Sequence, residues 1–550
     1  MKVKAGAGGR LASPAACAGI IAFVVFGSPA IAQTNPSTLE RESERQRTQI
    51  EQQTAPRRQT GPNVVGPGAA ARVEFPPGGT TVLLREVRID KSSLLSSDEI
   101  EAIKRKYVGR RVDLAQIGAL VQEINDIYAA RGHITASAIL PPQKLTQGVL
   151  TVKLIEGKLG NLTVTGAVQT SPSYIKSSVP VAAGDTVDVP ALNRSIAIFN
   201  RTNETQLRAQ LRAGGQFGLT DIELATTEPP RNIVQIFGDN QAATTAGRYQ
   251  AGLYWRLHGL FGIDDRLTTY GVISRGSLYG SSSFTLPITP YGTRLGLSYS
   301  RSGNHVVDGP LLQLRSKGES QNSAVNLSQP LFGTEALSLL AIGSFTLGDT
   351  RSDQLEVNVV RSSFQRWTGG LAFTWTSPIH SLSVSPTISR VHWKNSIAGA
   401  SSDFTILGGN TTNFVRFSDQ LYASLVGSWQ YSRDPLPGDQ TFQIGGPTTV
   451  RGYPIGVAAG DSGYYGQAEL HYAFGDALRN VDVFAFIDHG AVFATFPKMT
   501  RASAAGVGVS WRPAEWVTLE SSVGFPIVNV ASSQRSHEVY VRLSFRPQIN

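Results

Sequence analysis

From residue 232 to residue 545 the sequence keeps one pattern. Apolar and polar residues alternate with a period of two, and no helical segment interrupts the run. Within 249–257, Tyr249, Ala251, Leu253, Trp255 and Leu257 share one face, while Gln250, Gly252, Tyr254, Arg256 and His258 share the other. Further on, Trp367, Leu371, Phe373 and Trp375 oppose Arg366, Thr368, Thr374 and Thr376; near the end, Val539, Val541, Leu543 and Phe545 oppose Glu538, Arg542, Ser544 and Arg546. Successive side chains of a strand point to opposite faces, so each run has one apolar and one polar face. Two or three such strands fit a soluble sandwich. Sustained this long, the pattern predicts a closed barrel in lipid, where every backbone polar group is paired and no edge stays open. About sixteen antiparallel strands fit into 231–550. Residues 351–365 read as a loop extension, and Pro386 removes a ladder donor from a proposed strand.

Composition agrees with such a barrel. Charged residues are 17% of the chain and glycines number 56, whereas soluble proteins average about 25% charged. Mean hydropathy is near zero, as expected when alternation hides the apolar surface. At the N-terminus, Lys2, Lys4 and Arg10 precede a short apolar core over 15–27 and the small-x-small triplet Ala30-Ile31-Ala32. This predicts a signal peptide over 1–32, with Gln33 as the new N-terminus; the apolar stretch is too short for an anchor. The single cysteine, Cys17, lies inside it. The mature chain then excludes Cys-based zinc sites, disulfides and thiol catalysis. The net charge of +9 reads as solubility; no nucleic-acid module, nucleotide motif, metal spacing or cofactor site emerges.

Residues 33–53 contain LERESERQRTQIEQQ, rich in helix formers but with almost no apolar face. Such a helix is free in water or sits in a wet cavity. Residues 54–81, with Pro56, Pro62, Pro67, Pro76 and Pro77, read as an extended linker. Residues 82–158 read as a small α/β module of order β-α-α-β-β. A strand is expected over 84–89, a helix capped by Ser96 or Ser97, a second capped by Asp113 with Ile117, Leu120, Val121, Ile124, Ile127 and Tyr128 at helical spacing, and strands over 135–140 and 149–156. Residues 159–230 repeat this order, with strands expected over 162–165, 206–212 and 220–225 and helices over 173–178 and 190–200.

The candidate site is an arginine and a carboxylate. Val450-Arg451-Gly452-Tyr453 lies in a glycine-rich loop, 443–463, between the eleventh and twelfth expected strands. Phe486, Asp488 and Gly490 follow on the next strands, where Val481, Val483, Ala485 and Ile487 form the lipid face and Asp482, Phe484, Phe486 and Asp488 the lumen face. If the loop folds into the lumen, Arg451 reaches Asp488 in a bidentate pair, with Gly452 allowing close approach to the wall. The bland alternative is two solvated charges.

These motifs, in this order, resemble the two-partner secretion transporters (TpsB family), outer-membrane exporters of haemolysins and filamentous-haemagglutinin-like adhesins. The likeness rests on Pro141, Pro142 and Gln143, on Gly148, on Glu156 and Gly157, on Tyr128 with Arg131-Gly132-His133, on Gly218-Leu219-Thr220-Asp221, on Asp239-Asn240, on the Val450–Tyr453 motif and on Phe486, Asp488 and Gly490. His133 stands where the family usually has tyrosine, and Phe545 is followed by five further residues where many members end on an aromatic. The resemblance implies two periplasmic POTRA (polypeptide-transport-associated) domains at 82–158 and 159–230, a barrel at 231–550 and a plug helix in 33–53. It implies a pore that recognises an unfolded partner exoprotein, a β-helical adhesin or cytolysin, through the POTRA domains and exports it without ATP. Outer-membrane lipid, lipopolysaccharide and the barrel-assembly machinery are the other expected partners; nucleic acid is not. A barrel-insertion factor of the BamA kind shares the inner-loop motif and stays open as the alternative. An enzyme built on Asp461, His471, Asp488 or His489 is disfavoured, because no catalytic spacing emerges and His489 should point away from Asp488.

Overall fold

The computed structural model describes residues 36–55, 61–66, 78–309, 311–475, 478, 480–493, 499–531 and 534–547. The expected leader with Cys17, and the linker prolines Pro56, Pro67, Pro76 and Pro77, lie outside the described residues.

The first element among the described residues is helix α1 (Pro36–Thr54). A short strand, β1 (Val64–Val65), follows within the linker. The first α/β module holds β2 (Val82–Leu83), β3 (Glu86–Ile89), α2 (Ser97–Tyr107), β4 (Arg111–Val112), α3 (Leu114–Ala130), β5 (Ala136–Ile139) and β6 (Val149–Glu156). Ser96 and Asp113 each form a capping box, satisfying amide groups that the first helical turn leaves free. Ile117, Leu120, Ile124 and Tyr128 bury one stripe of α3 against β3, β5 and β6. The strand expected over 84–89 starts only at Glu86, and a separate short strand, β2, precedes it. β2 pairs with β4, β3 pairs with β6, and Leu84 between them is fully buried and bonded to Arg110 and Gly109.

The second module holds β7 (Lys158–Thr165), α4 (Pro172–Ser177), α5 (Val189–Thr202), β8 (Gln206–Ala213) and β9 (Leu219–Thr227). β7 begins four residues earlier than the sequence suggests. Gly160 and Asn161 break the alternation there, and the ladder with β9 shifts register, with Asp221 accepting from the Asn161 amide at 2.8 Å. The sheet order is β1-β8-β9-β7, so two linker residues add a parallel strand to the β8 edge.

The barrel comprises β10 (Asn232–Asp239), β11 (Gln250–His258), β12 (Arg266–Ser274), β13 (Ser277–Pro287), β14 (Arg294–His305), β15 (Lys317–Gly333), β16 (Leu337–Gln354), β17 (Val357–Thr376), β18 (His380–Asn395), β19 (Ala400–Arg416) and β20 (Leu421–Tyr431), then β23 (Ser462–Ala473), β24 (Val481–Phe493), β25 (Thr500–Ala514), β26 (Val517–Pro526) and β27 (Glu538–Phe545). All sixteen pair antiparallel with their neighbours, and β27 closes on β10. Alternation decides the faces: Ile487 is 64% exposed on the outside, and Asp488, the next residue, is 0% exposed inside. Between β20 and β23 the chain turns inward and makes a small hairpin, β21 (Phe442–Ile444) with β22 (Ala458–Gly460).

Two expectations needed correction or explanation here. Residues 351–365 are mostly strand, not loop: β16 and β17 run 18 and 20 residues, where a membrane crossing needs about 9–11. Their ends are paired β-structure with polar residues on both faces, which is why they read as loop. At Pro386 the β17–β18 ladder jumps from Gly370↔Thr387 to Phe373↔Val384, while Pro386 still faces Gly409 on β19. The missing N–H is on the β17 side.

Candidate functional site, a plugged lumen with an arginine lock

Helix α1 lies inside the barrel. Its few apolar residues find apolar company: Ile50 is fully buried among Phe237, Tyr254, Tyr270, Val272 and Tyr279, and Leu39 packs on Ala243, Ala246 and Ile455. The remaining contacts are polar. Glu40 accepts from Ser300 at 2.8 Å and from Ser320 and Asn322 on the β14–β15 wall. Glu44 accepts from Tyr279, and Gln46 accepts from Gln250 at 3.0 Å. Arg41 donates to the Thr441 carbonyl at 2.6 Å, and Thr448 donates to Glu42 at 2.6 Å, so the helix also holds the inward loop. A polar cavity of about 370 Å³ remains beside it, lined by serines and threonines of β13–β16. A polar helix without a continuous apolar face is stable here because the lumen wall supplies hydrogen-bond partners in place of water.

The loop carries Arg451 to the opposite wall. Its backbone N–H and Nε both donate to Asp488 Oδ2, at 3.0 and 2.7 Å, and Nη2 donates to Oδ1 at 2.7 Å. Nη1 donates to Glu469 Oε1 at 2.5 Å, and the guanidinium lies 3.5 Å from the centre of the Phe486 ring. One cation is therefore held by two carboxylates and a ring face, all on β23 and β24. Gly452 has φ +85°, and a Cβ there would lie 3.0 Å from the Gly524 carbonyl oxygen. Only glycine combines that conformation with that approach. The Gly452 amide donates to Tyr540 at 2.9 Å. Tyr453 anchors the loop from the other side, its hydroxyl lying 2.8 Å from the carbonyl oxygens of both Ser503 and Val528, which share its one proton, and accepting from their amides at 3.2 Å. Val450 is buried against Phe442, Ile444 and Tyr465. Gly490 packs under Ile444 and Tyr465, where a Cβ would stand 3.2 Å from each side chain.

Sequence reasoning missed Glu469, Tyr540 and every contact of α1. Glu469 had a signal, since the alternation of β23 turns it to the lumen two rungs from Asp488, in register with Phe486. His489 faces away from Asp488, bonded to Ser503 at 2.8 Å and Tyr464 at 3.2 Å. His471 faces the lumen between Glu469 and Asp482, and Asp461 accepts from the Leu436 amide at 2.8 Å.

The residues singled out in the first module build its own fold. The Gln143 side chain brackets Thr151, donating to its carbonyl at 2.7 Å and accepting from its amide at 2.8 Å, with Pro141 and Pro142 leading into that turn. The Gly148 carbonyl accepts from the Arg85 amide at 2.8 Å. Gly157 sits between the modules, with no room for a Cβ against Thr220. Glu156 accepts from the Ser93 amide at 2.8 Å, the Tyr128 hydroxyl at 2.8 Å, and the hydroxyls of Ser92 and Ser93. Burial alone would raise this carboxyl; the hydrogen bonds outweigh it and hold it below the usual range.

A closed transmembrane barrel with a plugged lumen, an inward arginine lock and periplasmic α/β modules defines a class, the outer-membrane β-barrel transporters with POTRA domains. The match to known families narrows it. Residues 218–512 match the family described as haemolysin secretion/activation protein ShlB/FhaC/HecB, and residues 82–157 match the POTRA domain, ShlB-type. The chain belongs to the ShlB/FhaC/HecB family, the two-partner secretion transporters of the outer membrane. It is 25% identical to the outer membrane transporter CdiB of Dickeya dadantii, over 92% of this chain and 94% of that one. It is 23% identical to the heme/hemopexin transporter protein HuxB of Haemophilus influenzae (81% and 84% covered) and 22% identical to the hemolysin transporter protein ShlB of Serratia marcescens (78% and 80%). In fold it resembles CdiB from Escherichia coli, with a TM-score of 0.69 at 19% identity over 94% of this chain and 98% of that one. These relatives are all named as transporters.

Proposed function

We propose that this transporter receives an unfolded partner exoprotein in the periplasm at its POTRA modules, 82–158 and 159–230, and passes it to the cell surface through the lumen once α1 has left. The observation that carries the reading is the character of the plug. α1 is held mainly by hydrogen bonds from Ser, Thr, Tyr, Asn and Gln side chains, which water or an extended chain can replace. A permanently embedded helix would be expected to bury a broad apolar stripe. An exposed sheet edge in the modules would take the exoprotein by strand addition, reading backbone more than side chains. The β8 edge is already paired by Val64 and Val65 of the linker, so pairing there would compete with the chain's own segment. Folding outside the cell would give direction without ATP. The Arg451 lock would hold the inward loop while the pore is loaded. Lipid and lipopolysaccharide around the barrel, and the assembly machinery that inserts it, complete the proposed partners. Relatives are named as transporters of hemolysin and of heme/hemopexin, and the exoprotein proposed for this chain is a β-helical adhesin or cytolysin.

One observation favours a second reading, a barrel-insertion factor. The closing seam of β10 and β27 pairs only from Ile236↔Phe545 to Asp239↔Arg542, against eight pairs from Asn232↔Leu257 to Asp239↔Gln250 on the other side of β10. A short seam is the place for lateral opening. Deleting the gene separates the two. Loss of a large exoprotein from the medium, with other outer-membrane barrels normal, supports export. Unchanged secretion with defective barrels supports insertion and refutes export.

A further inference from the structure

Where the second module meets the periplasmic mouth of the barrel, one cation serves two masters. Arg266, at the start of β12, donates through Nη1 to Glu204 at 3.0 Å; its Nη2 lies 3.5 Å from Glu51 of the plug helix. Glu204 follows α5 in the second module. It is also reached by Arg256 at 3.3 Å and lies 3.7 Å from His258, while its Oε2 has no hydrogen-bond partner among the described residues. Glu51 is held from its own helix by Arg47 at 3.0 Å. Asp264 and Arg294 complete the junction, with Asp264 accepting from the Glu204 and Thr205 amides at 3.1 and 2.9 Å. The module is thus pinned to the barrel by backbone bonds to Asp264 that do not involve the plug.

We propose that Arg266 is a shared counter-ion, and that Glu204 of the periplasmic module competes with Glu51 of the plug for it. The inference rests on the reading that α1 leaves the lumen. Two carboxylates around one guanidinium repel each other, and each weakens the other's claim on the cation. The distances say which has the better claim: the bond to Glu204 is of ordinary length, and the approach to Glu51 is long. With the module seated, the plug is held here at reduced strength. A module displaced on loading would return Arg266 to Glu51 and tighten the plug, so release of the plug is favoured only while the module stays docked. Glu204 is therefore a positioning residue for plug release, acting through Arg266.

The sign of the effect separates this from a structural role, because loss of a merely structural contact would loosen the plug. Plug occupancy is read as the oxidative cross-link between Gln53→Cys and Glu520→Cys, neighbours across the lumen, in a Cys17→Ser background in outer-membrane vesicles. Open-channel current in planar bilayers gives a second readout. Glu51→Gln and Arg266→Gln should lower the cross-linked fraction. Glu204→Gln should raise it and lower the open-channel current, shifting the out-to-in ratio about two- to five-fold, the range for a partly exposed ion pair. That shift should vanish in the Arg266→Gln background. A fall or no change on Glu204→Gln, or an equal rise without Arg266, overturns the shared counter-ion. If the cross-link is complete and open-channel current is absent in the wild type and in every variant, the plug does not leave, and the export reading fails with the inference; if the wild type opens but Glu51→Gln and Arg266→Gln leave both readouts unmoved, only the inference fails.

Discussion

Arg451→Lys keeps the charge and removes the fork. The arginine side chain makes three charge-assisted bonds, to both oxygens of Asp488 and to Glu469, and stacks on Phe486. An ammonium at the end of a flexible stem is a point charge and cannot span two carboxylates with parallel bonds. About two of the three bonds are lost, each worth roughly 1.5–3 kcal/mol when a partner is charged; the retained charge offsets part of that. The loop should undock more easily by about 2–4 kcal/mol, which raises its undocked fraction roughly 30- to 900-fold. Hydrogen exchange of the 443–463 amides in the intact protein measures this directly. Those of Arg451 and Gly452, bonded to Asp488 and Tyr540, should lose protection while the barrel strands keep theirs. Exoprotein secretion should fall in parallel. Unchanged protection together with wild-type secretion would refute the claim that the fork, rather than the charge, holds the loop.

Other outcomes follow from the same contacts. Glu40→Ala removes the acceptor for Ser300, Ser320 and Asn322 and should increase plug departure, seen as more frequent open-channel currents in planar bilayers. Gly452→Val places a side chain against Gly524 at a φ of +85° and should leave the loop undocked, with loss of secretion and retained barrel content by circular dichroism. The first module should weaken in acid. Glu156 has its carboxyl held below the usual range in the folded state, so its contribution is present above the unfolded value, about 4.3, and is lost as pH falls through the folded one. Hydrogen exchange of residues 82–157 in the full chain should show this, and Glu156→Gln should flatten the profile.

What the sequence discloses follows solvent. A residue that meets lipid on one strand face and water on the other leaves a period-two trace, as Leu253 and Tyr254 do, and Ile487 and Asp488. That trace is enough to read a barrel and the parity that turns Asp488 inward. Glycine after Arg451 marks a close approach, which makes the loop motif readable too. Three things leave little trace. Contacts between distant segments, such as Glu40 with Ser300 or Gly452 with Tyr540, depend on where a helix or loop comes to rest. Strand ends with polar residues on both faces, as in β16 and β17 over 349–354 and 361–366, carry little apolar–polar alternation to find. Backbone breaks such as Leu84 are set by which neighbour each half pairs with, β4 or β6. The bond of Arg451 to Glu469 lies between these cases: parity turns Glu469 inward, but only the β23–β24 register brings it beside Phe486.

The central claim is that an exported chain passes through the lumen that α1 occupies. A partner exoprotein stalled by a folded C-terminal domain tests it, with single cysteines placed on each barrel face in turn. Ser320→Cys lies in the lumen wall beside Glu40, and Ile487→Cys faces lipid. Cross-linking of the stalled chain at Ser320→Cys and not at Ile487→Cys is the predicted result. Cross-linking confined to the lipid face or the β10–β27 seam would contradict the account.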